Sequence, residues 1–205
     1  WINYRVRFER PQGIIIPDLL VVTDDYAFQL ATEQLPEFNI VQNANYYKKF
    51  MLSRYEEGKY ENSNQNRNGI LYVTDPISKN AKEIYGDEKY WGYDEFDGLD
   101  FFLKNKGLIA QETTRLIIKP HPSEHAEKYE RYRKYGEIVD YNNSDSLISL
   151  MQKVDTVVGC STMALVVATW LEKAVFSSVP PGGRGFYLPK KNIKFLSDIV
   201  SQHEK

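Results

Sequence analysis

The sequence predicts an α/β protein: a Rossmann-like parallel sheet with helices on both faces, preceded by a smaller α/β unit. From Gly69 onward, five short runs rich in branched apolar residues recur: ILYVT, RLIIK, EIVDY, TVVGC and AVFSS. Segments with apolar residues at helical spacing separate the later runs, at 96–106, 124–135, 144–153 and 162–172. Strand and helix in alternation give right-handed crossovers, so the strands run parallel and are buried on both faces.

The earlier elements are shorter. IIIPDLLVVTD, 14–24, is an apolar run broken by a Pro-Asp turn, and LLVVT within it reads as a buried strand. Asp24 or Asp25 caps a helix that runs to about Leu35 and is stopped by Pro36. NIVQN gives a second short strand, and YYKKFMLSRYEEGKY a helix. The polar, turn-rich stretch ENSNQNRNG follows and reads as a loop or linker. The expected division is therefore 1–60 as the end of an amino-terminal α/β domain, 61–69 as the linker, and 70–205 as the Rossmann-like domain. No internal repeat is present.

Composition excludes several functions. With 205 residues, 42% of them hydrophobic, the chain can bury a substantial core. A net charge of −2 and no basic stripe argue against nucleic acid as a partner. The densest basic run, RYRKY at 131–135, alternates with Glu127, Glu130 and Glu137 and reads as a solvated, salt-bridged helix face. Cys160 is the single cysteine, so no intrachain disulfide forms, in keeping with a reducing cytoplasm. His121 and His125 are spaced like zinc ligands on a helix, but Pro122 lies between them and no third ligand is near, so no metal is expected. No apolar run is long enough to span a bilayer, which leaves peripheral membrane contact open. Trp1 in place of a starting Met suggests a piece of a larger protein.

A parallel sheet of this kind binds ligands beyond the carboxyl ends of its strands. The loops there are TDPIS, KPHPSE, DYNNSDS, GCSTM and SSVPPGGRG. They carry neither paired glycosidase carboxylates nor a P-loop. They carry hydroxyls, glycines, one histidine and one arginine, all groups that bind phosphate. In KPHP, two prolines fix the backbone on both sides of His121, so the turn presents one shape. His121 either donates to a ligand phosphate or bonds a neighbouring backbone group. In GCSTM, Gly159 allows close backbone approach, and Ser161 and Thr162 open the helix MALVVATWLEK, as helix caps or as phosphate donors. Arg184 in PPGGRG is a candidate bidentate phosphate or carboxylate contact or a plain surface arginine. Ser78, Gly182 and Gly183 complete the candidate donor site. Glu124 is expected to cap the next helix and is kept as a ribose or base contact. Lys119 is expected to snorkel at a strand end. The aromatic set YWGY, 90–93, serves core or interdomain packing, or stacks on a sugar or base.

KPHP, followed about 40 residues later by GCST, resembles the HP and SS/ST motifs of bacterial sialyltransferases and related capsule polysaccharide enzymes that use cytidine-nucleotide donors. The opening PDLLVVTDDYAFQLATEQLP is also similar to the last strand and helix of the amino-terminal half in relatives of that group. The resemblance implies the two-domain GT-B fold, with residues 70–205 as the nucleotide-sugar donor-binding domain. It implies that His121, Ser161 and Thr162 hold the donor phosphate, and that His121 acts catalytically as cytidine monophosphate departs. The partners are then a nucleotide-sugar donor and a carbohydrate acceptor, with no cofactor beyond the donor and no metal.

The general base of that family lies in an acidic motif of the amino-terminal domain. DEFDG, 94–98, echoes it in the wrong half, and Asp94 and Asp97 read instead as helix-start residues. The fragment should then bind nucleotide and transfer little by itself. Two other readings stay open: transfer of polyol phosphates from cytidine diphosphate donors, and a binding module without catalysis.

Overall fold

The computed structural model describes residues 17–61, 68–111, 114–139 and 146–204. Strands β1 (Leu20–Val22) and β2 (Ile40–Gln42) pair in parallel, with Val21 opposite Val41. Helix α1 (Asp25–Gln34) connects them, and its amino terminus is held by the Asp24 carboxylate, which accepts from the Ala27 N–H at 2.8 Å. Helix α2 (Tyr46–Glu61) puts Met51 and Tyr55 into the core of a larger sheet. There the Gln152 side chain donates to the Tyr55 carbonyl at 2.7 Å.

That sheet has six parallel strands in the order β5-β4-β3-β6-β7-β8. They are β3 (Gly69–Val73), β4 (Arg115–Lys119), β5 (Glu137–Ile138), β6 (Thr156–Gly159), β7 (Ala174–Ser177) and β8 (Lys194–Phe195). Between them run α3 (Ile77–Tyr85), α4 (Glu95–Asn105), α5 (Leu147–Gln152) and α6 (Met163–Trp170), and α7 (Leu196–His203) follows β8. The strands alternate strictly between two cores. Leu71, Val73, Ile117, Val157 and Val175 pack with Met51, Ile148 and Leu165 on one face. Ile70, Tyr72, Ile118, Val158 and Phe176 pack with Leu99, Phe102 and Leu196 on the other. No helix among the described residues is long and apolar enough to cross a membrane.

Several elements depart from expectation. The segment 124–135 is not an α-helix but a 3-10 helix, Ala126–Tyr132. Tyr129 and Tyr132, three residues apart, are both buried, and only a three-residue turn places them on one line. The strand in EIVDY stops at Ile138, and residues 140–145 lie outside the described residues, as do 62–67 of the linker stretch. Helix α3 went unpredicted although Ile77, Ala81, Ile84 and Tyr85 recur at helical spacing; only Ile77 and Ala81 of that stripe are buried. β8 has two residues, too few to give a pattern.

Candidate functional site at the topological switch point

The chain leaves β3 towards β4 on one side and returns to β6 on the other, so β3 and β6 flank the point where the strand order reverses. A crevice forms beyond the carboxyl ends of strands at such a point. Val73 of β3 stands opposite both Lys119 and Gly159. Asp75, His121 and Ser161 each follow two residues later, so three neighbouring strand ends carry a carboxyl, an imidazole and a hydroxyl at matching positions.

The β4 end is organised around Thr74. Its hydroxyl accepts from the His121 N–H at 2.9 Å and donates to Glu124 Oε2 at 2.7 Å. The turn after Pro120 brings Ser123 back to the imidazole: the Ser123 N–H donates to Nδ1 at 3.2 Å, and its hydroxyl lies 2.9 Å from the same atom. A backbone N–H can only donate, so Nδ1 is the acceptor and the ring proton sits on Nε2. Among the described residues no partner takes Nε2. Burial lowers the His121 pKa below its ordinary 6.5, the nearby Glu124 opposes this, and Lys79 adds to it. The imidazole is thus a neutral Nε2–H donor at neutral pH.

At the end of β6, Thr162 is the N-cap of α6, though its hydroxyl is 3.5 Å from the Ala164 N–H it would satisfy, a long contact. Ser161 and Thr162 are each 8% exposed, and no described residue bonds the Ser161 hydroxyl. The positive end of the α6 dipole therefore carries one weakly engaged hydroxyl and one open one, a suitable setting for an anion. A Cβ on Gly159 would stand 2.8 Å from the Val73 carbonyl and 3.2 Å from Thr162, so the glycine lets this turn press against β3. Cys160, behind it, is buried with its pKa pushed up to about 12, so the thiol stays protonated and is no nucleophile.

Glu124 does not cap the following helix. The residue before that helix is His125, which makes no side-chain capping bond. Glu124 turns inward instead, accepting from Thr74, from Lys128 at 2.6 Å and from the Tyr129 hydroxyl at 3.0 Å. Lys128 also bonds Glu95, which is 2% exposed. Glu95 in turn takes the Ser78 N–H at 2.9 Å and its hydroxyl at 2.8 Å, closing the amino terminus of α3. Ser78 and Glu124 are thus both committed to this buried ion cluster. Burial pushes the Glu95 pKa up, but Lys128 and the two Ser78 bonds outweigh it, and the net shift is downward.

The PPGGRG loop is fastened to the aromatic set. The Arg184 N–H donates to the Trp91 carbonyl at 2.8 Å, and its guanidinium donates to the Tyr90 carbonyl at 2.7 Å. Gly183 is hemmed in by Val179, the Pro180 carbonyl and Tyr93, so a Cβ there would clash. Gly182 has φ +80° with open space around it. Within YWGY, Tyr93 is buried against Ile77, Cys160 and Val179, and Trp91 packs edge-on to Tyr187. Lys119 is 9% exposed, so its side chain is buried at the strand end. A cleft of about 620 Å³ bordered by Lys48, Trp170 and Lys190, and another of about 560 Å³ bordered by Lys106, Leu116 and His203, contain none of these residues.

Sequence reasoning missed Thr74, Asp75, Glu95 and Lys128. The first two were readable as the polar pair directly after ILYV, before a proline. Glu95 and Lys128 gave no signal, because they meet across 33 residues.

No protein-family model and no curated protein matches the sequence. Solved structures similar to it include three of the wall teichoic acid polymerase TagF. One is 14% identical (TM-score 0.46) and covers 92% of this chain and 48% of its own. A histidine-to-alanine variant is 12% identical (TM-score 0.45), with the same coverage. A histidine-to-asparagine variant soaked with CDPG is 11% identical (TM-score 0.44), covering 91% of this chain and 47% of its own. The chain thus spans about half the length of the solved chains that it resembles.

Proposed function

We propose that this chain carries the donor site of a GT-B glycosyltransferase that uses a cytidine-nucleotide-activated sugar, of the CMP-sialic-acid type, in the synthesis of a surface polysaccharide or glycoconjugate. The supporting observation is the placing of a neutral Nε2–H imidazole and the hydroxyl-bearing amino terminus of α6 at the carboxyl ends of the two strands that flank β3. Charge builds on the nucleotide phosphate as the bond to the sugar breaks. His121 Nε2, the Ser161 and Thr162 hydroxyls and the helix dipole would stabilise that charge where it develops. Arg184 would approach the same anion only after exchanging its bond to the Tyr90 carbonyl. The acceptor is a carbohydrate and the reaction a cytoplasmic one.

Calorimetric titration with CMP, CDP and UMP tests this. Saturable binding of the cytidine nucleotides, weakened by about 1–3 kcal/mol in His121→Ala, is the expected result for a lost hydrogen bond to a charged group. Absence of saturable CMP and CDP binding overturns it. Preference for CDP over CMP would move the donor to the polyol-phosphate class.

A further inference from the structure

Asp75 is the one described side chain left with a buried polar atom and no partner: Oδ1 is covered and takes no hydrogen bond. Buried polar groups are almost always satisfied, so an orphan at a strand end on a switch point calls for an explanation. Its position supplies one. Asp75 stands at the end of the central strand β3, between the β4 end that carries His121 and the β6 end that carries Ser161. An anion gripped from both sides would lie over it.

An ionised carboxylate there would repel that anion. The surroundings keep it from ionising. Glu124 faces it from the β4 loop and Glu95 from α4, while Lys128, bonded to both glutamates, supplies one positive charge against two negative ones. On the other side lie Cys160 and Tyr93, whose burial keeps them protonated and uncharged. Lys79 and His121 lie towards β4. Burial first, and the two glutamates next, raise the Asp75 pKa from 3.8 to about 7. A carboxylic acid held neutral beside a developing anion is a hydrogen-bond donor.

We propose that Asp75 is a further phosphate-contacting group of the donor site, a neutral acid that donates a hydrogen bond to the phosphate oxygen held between His121 and the amino terminus of α6. The inference rests on the donor-site reading and adds to it a residue and a protonation state. Asp75 is 7% exposed with Oδ1 covered, so donation to the ligand would require the carboxyl to turn outward.

The test uses CMP-N-acetylneuraminate and CDP-glycerol, phosphate esters whose phosphates carry no titrating proton near neutrality. Affinity is measured at about pH 6 and about pH 8.5 for the unsubstituted chain, Asp75→Asn and Asp75→Ala. The unsubstituted chain should bind about tenfold more weakly at the higher pH, where the acid has ionised. Asp75→Asn keeps an N–H donor at every pH, so its affinity should change less than about twofold and exceed that of the unsubstituted chain at the higher pH. Asp75→Ala should lose about tenfold at the lower pH. His121 is present in all three, so its titration cancels in the comparison. A flat profile in the unsubstituted chain, or tighter binding at the higher pH with loss in Asp75→Asn, overturns the inference and leaves the donor site standing. No binding of either ester by the unsubstituted chain at either pH overturns both.

Discussion

Two lysines in this protein each hold two carboxylates, and the contrast between them separates a helix cap from a site. Lys89 bonds Asp94 and Asp97 at 2.6 and 2.5 Å at the start of α4. Asp94 accepts from the Phe96 and Asp97 N–H groups, and Asp97 accepts from the Asp94 N–H, a complete capping box. Lys89 and Asp97 are about half exposed, so water screens the cluster and its work is local. Lys128 bonds Glu95 and Glu124, whose side chains are 2% and 3% exposed. Glu95 directly follows Asp94 in the chain, yet it points inward and joins elements far apart in sequence. The same two-to-one charge ratio is cheap at the surface and consequential when buried, where it acts on Asp75.

The contrast breaks if the two lysines prove equivalent. Lys128→Ala leaves two buried carboxylates unpaired and should cost about 3 kcal/mol, lowering the melting temperature by roughly 6–12 °C. Lys89→Ala should cost less than about 1 kcal/mol. Equal melting temperatures for the two variants would refute the distinction.

Asp75→Asn should act in the opposite direction and stabilise the chain by about 2 kcal/mol near pH 8. The folded-state pKa lies above the ordinary 3.8, so the folded chain binds more protons than the unfolded one between the two values, and stability falls as pH rises towards 7. The gain should therefore shrink towards pH 4 in urea melts across pH, and a gain independent of pH would count against a neutral Asp75.

Glu95 has the reverse sign. Its pKa is lowered in the folded state, so its contribution is present above the ordinary value of 4.5 and is lost as pH falls below that through the folded one. Glu95→Gln should flatten that acid limb of the stability profile. The smallest effect belongs to the cap: Asp94→Ala should cost about 1 kcal/mol, with nucleotide binding unchanged. A larger loss, or altered binding, would show that the surface cluster reaches the site.

Much of the fold was legible along the chain. A fully buried parallel strand needs a continuous apolar run, and ILYV, RLIIK, TVVG and AVFS are such runs, so their existence and parallel pairing could be read before any contact was known. Asp94 and Asp97 were readable as helix-start residues for the same reason, since a cap acts within four residues. KPHP and GCST marked two of the strand ends. Helix α3 was readable too, from Ile77, Ala81, Ile84 and Tyr85, and was passed over. What stayed hidden was whatever depends on distant neighbours: the two-residue β8, the 3-10 form of 126–132, and the inward turn of Glu124.

By itself, then, the sequence determined the α/β class, the parallel strands and the presence of a histidine and a hydroxyl pair beyond two of their ends. Each follows from local apolar pattern and turn chemistry. Only the tertiary structure decided the strand order, with β3 at the centre, the Nε2–H form of His121, and the placing of Asp75 among Glu95, Glu124 and one lysine. Hydrogen-bond partners and desolvation are properties of space rather than of sequence separation, and Glu95 meets Lys128 only because the sheet carries both to the same rim.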